Sequence, residues 1–153
     1  MPQNTGTSLA RVVHKVGVVT ELRPHVLLAE DDPQLRGLLE DELRRGGFPV
    51  TAAADGGVAT ELLELGELAD GELHAVILDV NMPEASGIEI VAWLRSDARR
   101  IPVVIMSSVT EGLEEAGRAY GAVVLSKPFS IAQLETAVVE ARVLALSRTM
   151  IAR

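Results

Sequence analysis

The chain has 153 residues, enough for one domain of ordinary size, and 48% of them are hydrophobic although only 3% are aromatic. A core built from Leu, Val, Ile and Ala is therefore expected. A net charge of −8 speaks against a general nucleic-acid-binding surface, which needs a basic stripe. The lack of cysteine excludes disulfides, thiolate metal sites and a cysteine nucleophile.

The first residues, "MPQNTGTS", lack the basic start and apolar middle of a signal peptide. No apolar run approaches the roughly 20 residues of a membrane span. The expectation is a soluble, cytoplasmic protein that takes neither membrane nor nucleic acid as partner. Residues 1–23 stand apart as an N-terminal extension. Within them "SLARVVHKVG" carries Leu9, Val12, Val13 and Val16 at helical spacing, after Ser8 and before Gly17. Two readings stand: a short helix docking on the domain or a partner, and a tail or linker, since so short a helix is marginal alone.

From Pro24 the chain alternates between short apolar runs and longer segments of helical spacing. The runs His25–Ala29, Pro49–Ala53, His74–Val80, Pro102–Ser107 and Ala122–Ser126 predict strands covered on both faces. "PQLRGLLEDELRRGG" predicts a first helix with Leu35, Leu38, Leu39 and Leu43 on one face. Pro33 suits its first turn, and Gly46-Gly47 suits a left-handed end. Four further helices are expected at about Gly56–Leu68, Gly87–Arg95, Glu111–Tyr120 and Ser130–Leu146, the last with Ser130 as its N-cap. Five strands alternating with five helices imply an α/β, mostly parallel, doubly wound sheet. The domain is expected over 24–147, with 148–153 as a C-terminal tail.

The stretch "HVLLAEDDP" runs a buried strand straight into three acids. Ligands of open parallel sheets bind beyond the carboxyl ends of the strands. Glu30 and Asp31 lie just past the first strand, and Asp79 lies near the end of the third. If those strands are neighbours, three carboxylates converge and raise one another's pKa unless a cation compensates. Lys127, in "LSKPF", follows the fifth strand and can supply an ammonium. A hard divalent ion such as Mg²⁺ suits the remaining oxygens, and Ser107, ending the fourth strand, offers a hydroxyl.

The bland readings are weighed beside these. Acids at a helix start also favour the helix dipole, and Ser107 alone is an ordinary strand-end hydroxyl. Gly56-Gly57 has no Gly-Lys-Ser/Thr after it and reads as a loop and helix start. His14, His25 and His74 lack metal spacing and read as structural or exposed. The arginine pairs Arg44-Arg45 and Arg99-Arg100 read as solvated edges, and Trp93 as packing or partly exposed.

Four motifs in order, "LLAEDDPQLR", "VILDVNMPEASG", "PVVIMSS" and "LSKPF", resemble the receiver domain of two-component response regulators. The resemblance covers about four-fifths of the chain. It implies a flavodoxin-like sheet of strand order 2-1-3-4-5. It implies that Asp79 accepts a phosphoryl group from a phosphohistidine of a sensor histidine kinase or histidine phosphotransfer protein. Glu30 and Asp31 match the acidic pair that binds Mg²⁺, and Asn81 the position whose backbone carbonyl completes that site. Ser107 matches the hydroxyl residue that follows the phosphoryl group during switching, and Lys127 the lysine paired with the acceptor. Lys127–Pro128 matches a bond that is usually cis. Asp32 occupies a variable neighbouring position.

One departure stands out: Val124 holds a place where the family often has Tyr or Phe, so the usual aromatic output is in doubt. A stand-alone regulator or relay intermediate is expected, acting on a protein target with no enzymatic output beyond its own phosphoryl transfer and slow autodephosphorylation. Two rivals remain. A pseudo-receiver would keep the fold as a binding module without phosphorylation. A phosphatase of related topology would place a second aspartate two residues past its nucleophile, and here that position is Asn81, which cannot serve as general acid.

Overall fold

A computed structural model describes residues 25–64 and 73–151. The elements follow one another as β1 (His25–Ala29), α1 (Pro33–Arg45), β2 (Val50–Ala53), α2 (Gly56–Glu64) and β3 (Leu73–Asp79). Then come α3 (Gly87–Ser96), β4 (Val103–Ser107), α4 (Leu113–Tyr120), β5 (Val123–Ser126) and α5 (Ile131–Ile151). All four strand pairings are parallel, and the order is β2-β1-β3-β4-β5. The expected five-stranded, doubly wound sheet is the observed one.

Because strand side chains alternate between faces, each buried strand feeds two cores. Leu27, Val76, Leu78, Val103 and Ile105 pack with Leu63 of α2 and Ile90, Val91 and Leu94 of α3. Val26, Leu28, Ile77, Val104 and Met106 pack on the other face with Leu39 and Leu43 of α1 and Leu134, Val138 and Ala141 of α5. Every residue of β3 is buried, as expected of a central parallel strand.

Local chemistry sets the helix ends. Asp32 caps α1, its carboxylate accepting from the backbone N–H of Gln34 at 2.9 Å and of Leu35 at 3.5 Å, and Pro33 occupies the first turn. Gly46 stays right-handed (φ −73°), and the left-handed residue is Gly47 (φ 92°), a conformation glycine adopts without penalty. On α1, Leu39 and Leu43 are buried, but Leu38 is 57% exposed. Leu38 sits a quarter-turn off the line through Leu39 and Leu43, so it faces an open cleft instead of the sheet. Ser130 and Gln133 close a reciprocal capping box on α5, with bonds of 2.8 and 3.1 Å.

Some helix bounds differ from expectation: α4 starts at Leu113, two residues after Glu111. The described part of α2 ends at Glu64, and 65–68 lie outside the described residues. Helix α5 runs five residues past Leu146, to Ile151, since nothing in "LALSRTMI" breaks a helix. The expected extension 1–23 and its short helix also lie outside the described residues. No helix among the described residues is long and apolar enough to cross a membrane.

Candidate functional site: an acidic pocket at the carboxyl edge of the sheet

The parallel registers bring four strand ends level. Ala29 is opposite Leu78, Asp79 opposite Met106, and Ser107 opposite Ser126. Glu30 and Lys127 are the next residues out from β1 and β5. Carboxylate oxygens of Glu30, Asp31 and Asp79 lie within 4.8 Å of one another. Glu30 and Asp79 are buried, whereas Asp31 faces solvent. Lys127 enters from the other side, its Nζ 3.1 Å from Glu30 Oε2 and 3.3 Å from Asp79 Oδ1. Its backbone N–H donates to the Ser107 carbonyl at 2.8 Å, so β4 fixes where the lysine leaves the sheet. The Lys127–Pro128 bond is cis.

Burial pushes the Glu30 carboxyl above its ordinary pKa; the hydrogen bond from Lys127 pulls it back, and the neighbouring Asp79 charge adds to the rise. Burial also disfavours the charged lysine, but Glu30 and Asp79 outweigh it and hold Lys127 above its ordinary value. One ammonium against three carboxylates leaves the pocket negative. All three donors are oxygens, with no imidazole or thiolate among them, and such a set fits a hard ion like Mg²⁺ better than zinc or copper.

The run of three acids divides its work: Glu30 and Asp31 meet Asp79, and Asp32 caps α1. Asn81 is exposed in the loop two residues beyond Asp79. Ser107 is at the expected edge but points elsewhere. It is buried, its Oγ donates to the Val109 carbonyl at 2.7 Å, and it accepts from the Val109 N–H at 3.1 Å. Gly56-Gly57 begins α2, as expected, behind the Asp55 side chain, which accepts from the Val58 N–H at 2.8 Å. The described histidines take structural places: His25 bonds Thr51 Oγ1 at 2.7 Å, and His74 packs on Phe48 with centroids 5.4 Å apart. Trp93 is partly buried, with the Arg99 guanidinium 5.5 Å from its ring.

Sequence reasoning missed Arg36. Its guanidinium donates to the carbonyl of Glu30 at 2.9 Å and, at 3.4 Å, to that of Asp31, so α1 holds the acidic turn by its backbone. The signal was present: helical side chains lean toward the N-terminus, and Arg36 stands one turn past the Asp32 cap. Beside the acids lies an open, largely apolar cleft of about 770 Å³ between α1 and the start of α5. Leu35, Leu38, Lys127, Pro128 and Phe129 are on its walls.

An open parallel sheet of this order, with acids and a lysine converging at its carboxyl edge, defines the flavodoxin-like class of α/β domains with an acidic edge site. Within that class, the sequence model of the "Response regulator receiver domain" matches residues 26–139, and the chain belongs to this family. Among curated relatives, the transcriptional regulatory protein PrrA of Mycobacterium bovis is 35% identical over 117 residues, which is 72% of this chain and 46% of PrrA. The uncharacterized transcriptional regulatory protein YrkP of Bacillus subtilis is 34% identical over 120 residues, 74% of this chain and 47% of YrkP. The chain thus spans about half the length of the curated relatives it matches.

Among solved structures, the receiver domain of Francisella response regulator 1452 superposes with a TM-score of 0.67 at 29% identity, covering 83% of this chain and 99% of that one. The Vibrio cholerae chemotaxis protein CheY4 gives 0.66 at 27% identity, covering 78% and 98%. The expectation that nucleic acid is no partner is not carried forward. The relatives PrrA and YrkP are transcriptional regulatory proteins, and about half of each lies beyond the match.

Proposed function

We propose that Asp79 is the phosphoacceptor, taking a phosphoryl group from the phosphohistidine of a sensor histidine kinase or histidine phosphotransfer protein, in the cytoplasm. The observation that carries this is the meeting of a buried Asp79 carboxylate with the Lys127 ammonium at 3.3 Å, inside a ring of oxygen donors. A carboxylate oxygen of Asp79 attacks phosphorus in line. The new O–P bond replaces the P–N bond, and the imidazole leaves with the electron pair. Lys127 orients the attacking carboxylate and offsets charge on the transferring oxygens. Glu30, Asp31 and Asp79, with the Asn81 backbone carbonyl, would hold Mg²⁺, which neutralises phosphoryl charge when bound. Arg36 keeps the Glu30–Asp31 turn in place.

The acyl phosphate adds charge and acceptor oxygens that the Ser107 hydroxyl and Lys127 can bond. For Ser107 this means giving up Val109. The β4–α4 loop then rearranges, and the change is read by a partner on the face of α4, β5 and α5. The phosphodonor approaches over the cleft at α1, where exposed Leu38 offers an apolar contact. Slow loss of the phosphoryl group to water, assisted by the same pocket, returns the resting state.

Acetyl phosphate with Mg²⁺, read by intact mass, tests the acceptor. The wild type gains one phosphoryl mass, and Asp79→Asn does not. Equal labelling of both proteins removes the assignment, and no labelling of the wild type by acetyl phosphate or by a phosphorylated kinase favours a pseudo-receiver.

A further inference from the structure

Helix α5 outlasts its core. Among the residues of α5 whose side chains are described, Ala141 is the last buried one, and between Arg142 and Ser147 the chain is half-buried or exposed. On the side away from Leu134, Val138 and Ala141 runs an aliphatic row: Val139, Val143 and Leu146 are 59%, 56% and 67% exposed, at spacings of four and three residues. Such a row is what one helix presents to another. Glu135 lies in line with it, Glu140 on one flank and Arg142, tied to the His74 carbonyl, on the other.

The chain itself holds a complement. Residues 8–16, "SLARVVHKV", carry Leu9, Val12, Val13 and Val16 at matching helical intervals. Their charged residues are Arg11 and Lys15, with no acid between. On a helix of that spacing Lys15 falls beside the apolar line, where a long stem can reach an acid at the row's edge, and Arg11 falls on the far side. The point where this segment joins the fold is also favourable. β1 starts at His25, opposite Leu73 of β3. The next residue, His74, gives its carbonyl to the Arg142 guanidinium of α5 at 2.9 Å. The eight residues from 17 to 24 can span up to roughly 26 Å, ample to return along α5 from there. A tether of that length also holds the segment at an effective concentration of order millimolar.

We propose that the occupant of the α5 row is this chain's own segment 8–16, seated across Val139, Val143 and Leu146 as an added helix on the outside of the domain. The assignment is independent of phosphoryl chemistry, because none of these residues is in the acidic pocket.

The absence of cysteine makes the test clean. Full-length chains carry one cysteine in the segment (Val13→Cys or Val16→Cys) and one on α5 (Val139→Cys, Val143→Cys or Leu146→Cys). Chains pairing the same segment cysteine with Val58→Cys, on exposed α2, are the control. Under mild oxidation the α5 pairs form an intrachain disulfide at least about tenfold faster than the control, at a rate unchanged by dilution, as an intramolecular reaction requires. Reaction no faster than the control across the panel overturns the proposal. A bond that forms only between chains and slows on dilution also overturns it, in favour of a second copy on α5. A second measurement avoids cysteine. Amide exchange across 139–147 speeds up by about tenfold in a Val12→Asp/Val13→Asp chain, whose substitutions lie outside the sheet's core. Unchanged exchange counts against the docking.

Discussion

Lys127 holds together two acids that would otherwise repel, and removing it exposes how much the pocket depends on one ammonium. In Lys127→Ala the buried Glu30 and Asp79 face each other uncompensated. The expected loss of folding stability is about 1–3 kcal/mol without metal, reduced by proton uptake at Glu30. Added Mg²⁺ should recover much of that loss, since its acidic ligands remain, while switching is weakened. Urea unfolding with and without Mg²⁺ reads both effects. A loss of Mg²⁺ affinity as large as that of Asp31→Ala would contradict this division of roles. At the same scale, Glu30, Asp31, Asp79, Lys127 and Ser107 were legible as strand-end residues because parallel strands of similar length finish level. For Arg36 the helical lean showed only the reach; its contacts, the cap at Asp32 and the direction of the Ser107 hydroxyl each depend on a rotamer chosen by three-dimensional neighbours.

At the scale of elements, α4 lies close against β5. A Cβ on Gly117 would sit 2.8 Å from Val124 Cγ2 and 3.0 Å from the Ala122 carbonyl, so only glycine allows this approach. Val124, the residue expected in the aromatic position, thus has α4 packed against one side of it. Gly117→Ala should cost about 1–3 kcal/mol by overpacking. Val124→Ala in the same chain should return part of it, leaving the clash with the Ala122 carbonyl. A double-mutant cycle by urea unfolding measures the coupling, and additivity within about 0.5 kcal/mol would mean the two side chains do not meet. The C-terminus of α4 is tied just as firmly. The Arg95 guanidinium donates to the carbonyls of Tyr120, Arg99 and Ile101 at 2.7, 2.7 and 3.0 Å, joining α3, α4 and the approach to β4. Helix existence was readable from apolar spacing and caps. The exposure of Leu38 and the reach of α5 beyond the core were not, because spacing says which residues share a face and not how much of that face finds a partner.

At the scale of the whole molecule, two cores share one sheet, and the end opposite the acidic pocket has its own titrating group. His74, the second residue of β3, lies between Phe48 and Arg142, and burial together with the Arg142 charge lowers its pKa to about 4. Below its usual 6.5, the unfolded chain takes up a proton that the folded chain refuses. Stability should therefore fall as pH drops from about 6.5 to about 4, by up to roughly 3 kcal/mol from this group. His74→Gln should flatten that part of the stability–pH curve measured by urea unfolding, and parallel curves for the two proteins would remove His74 as the cause. The strand order itself was not contained in periodicity. Five short apolar runs read alike in isolation, and only the likeness of four ordered motifs to a family arranged them.

Under the proposed function, the turn made by Ser107 and Val109 would set a threshold for signalling. A hydroxyl already satisfied twice is no idle bystander; it anchors the unmodified conformation. Leaving both partners costs about 1–2 kcal/mol, which skews the resting population by roughly tenfold. Under the proposed chemistry, a newly arrived phosphoryl oxygen must outbid the backbone of Val109 before any downstream partner senses a difference. Spontaneous firing is thus held down by a single side chain.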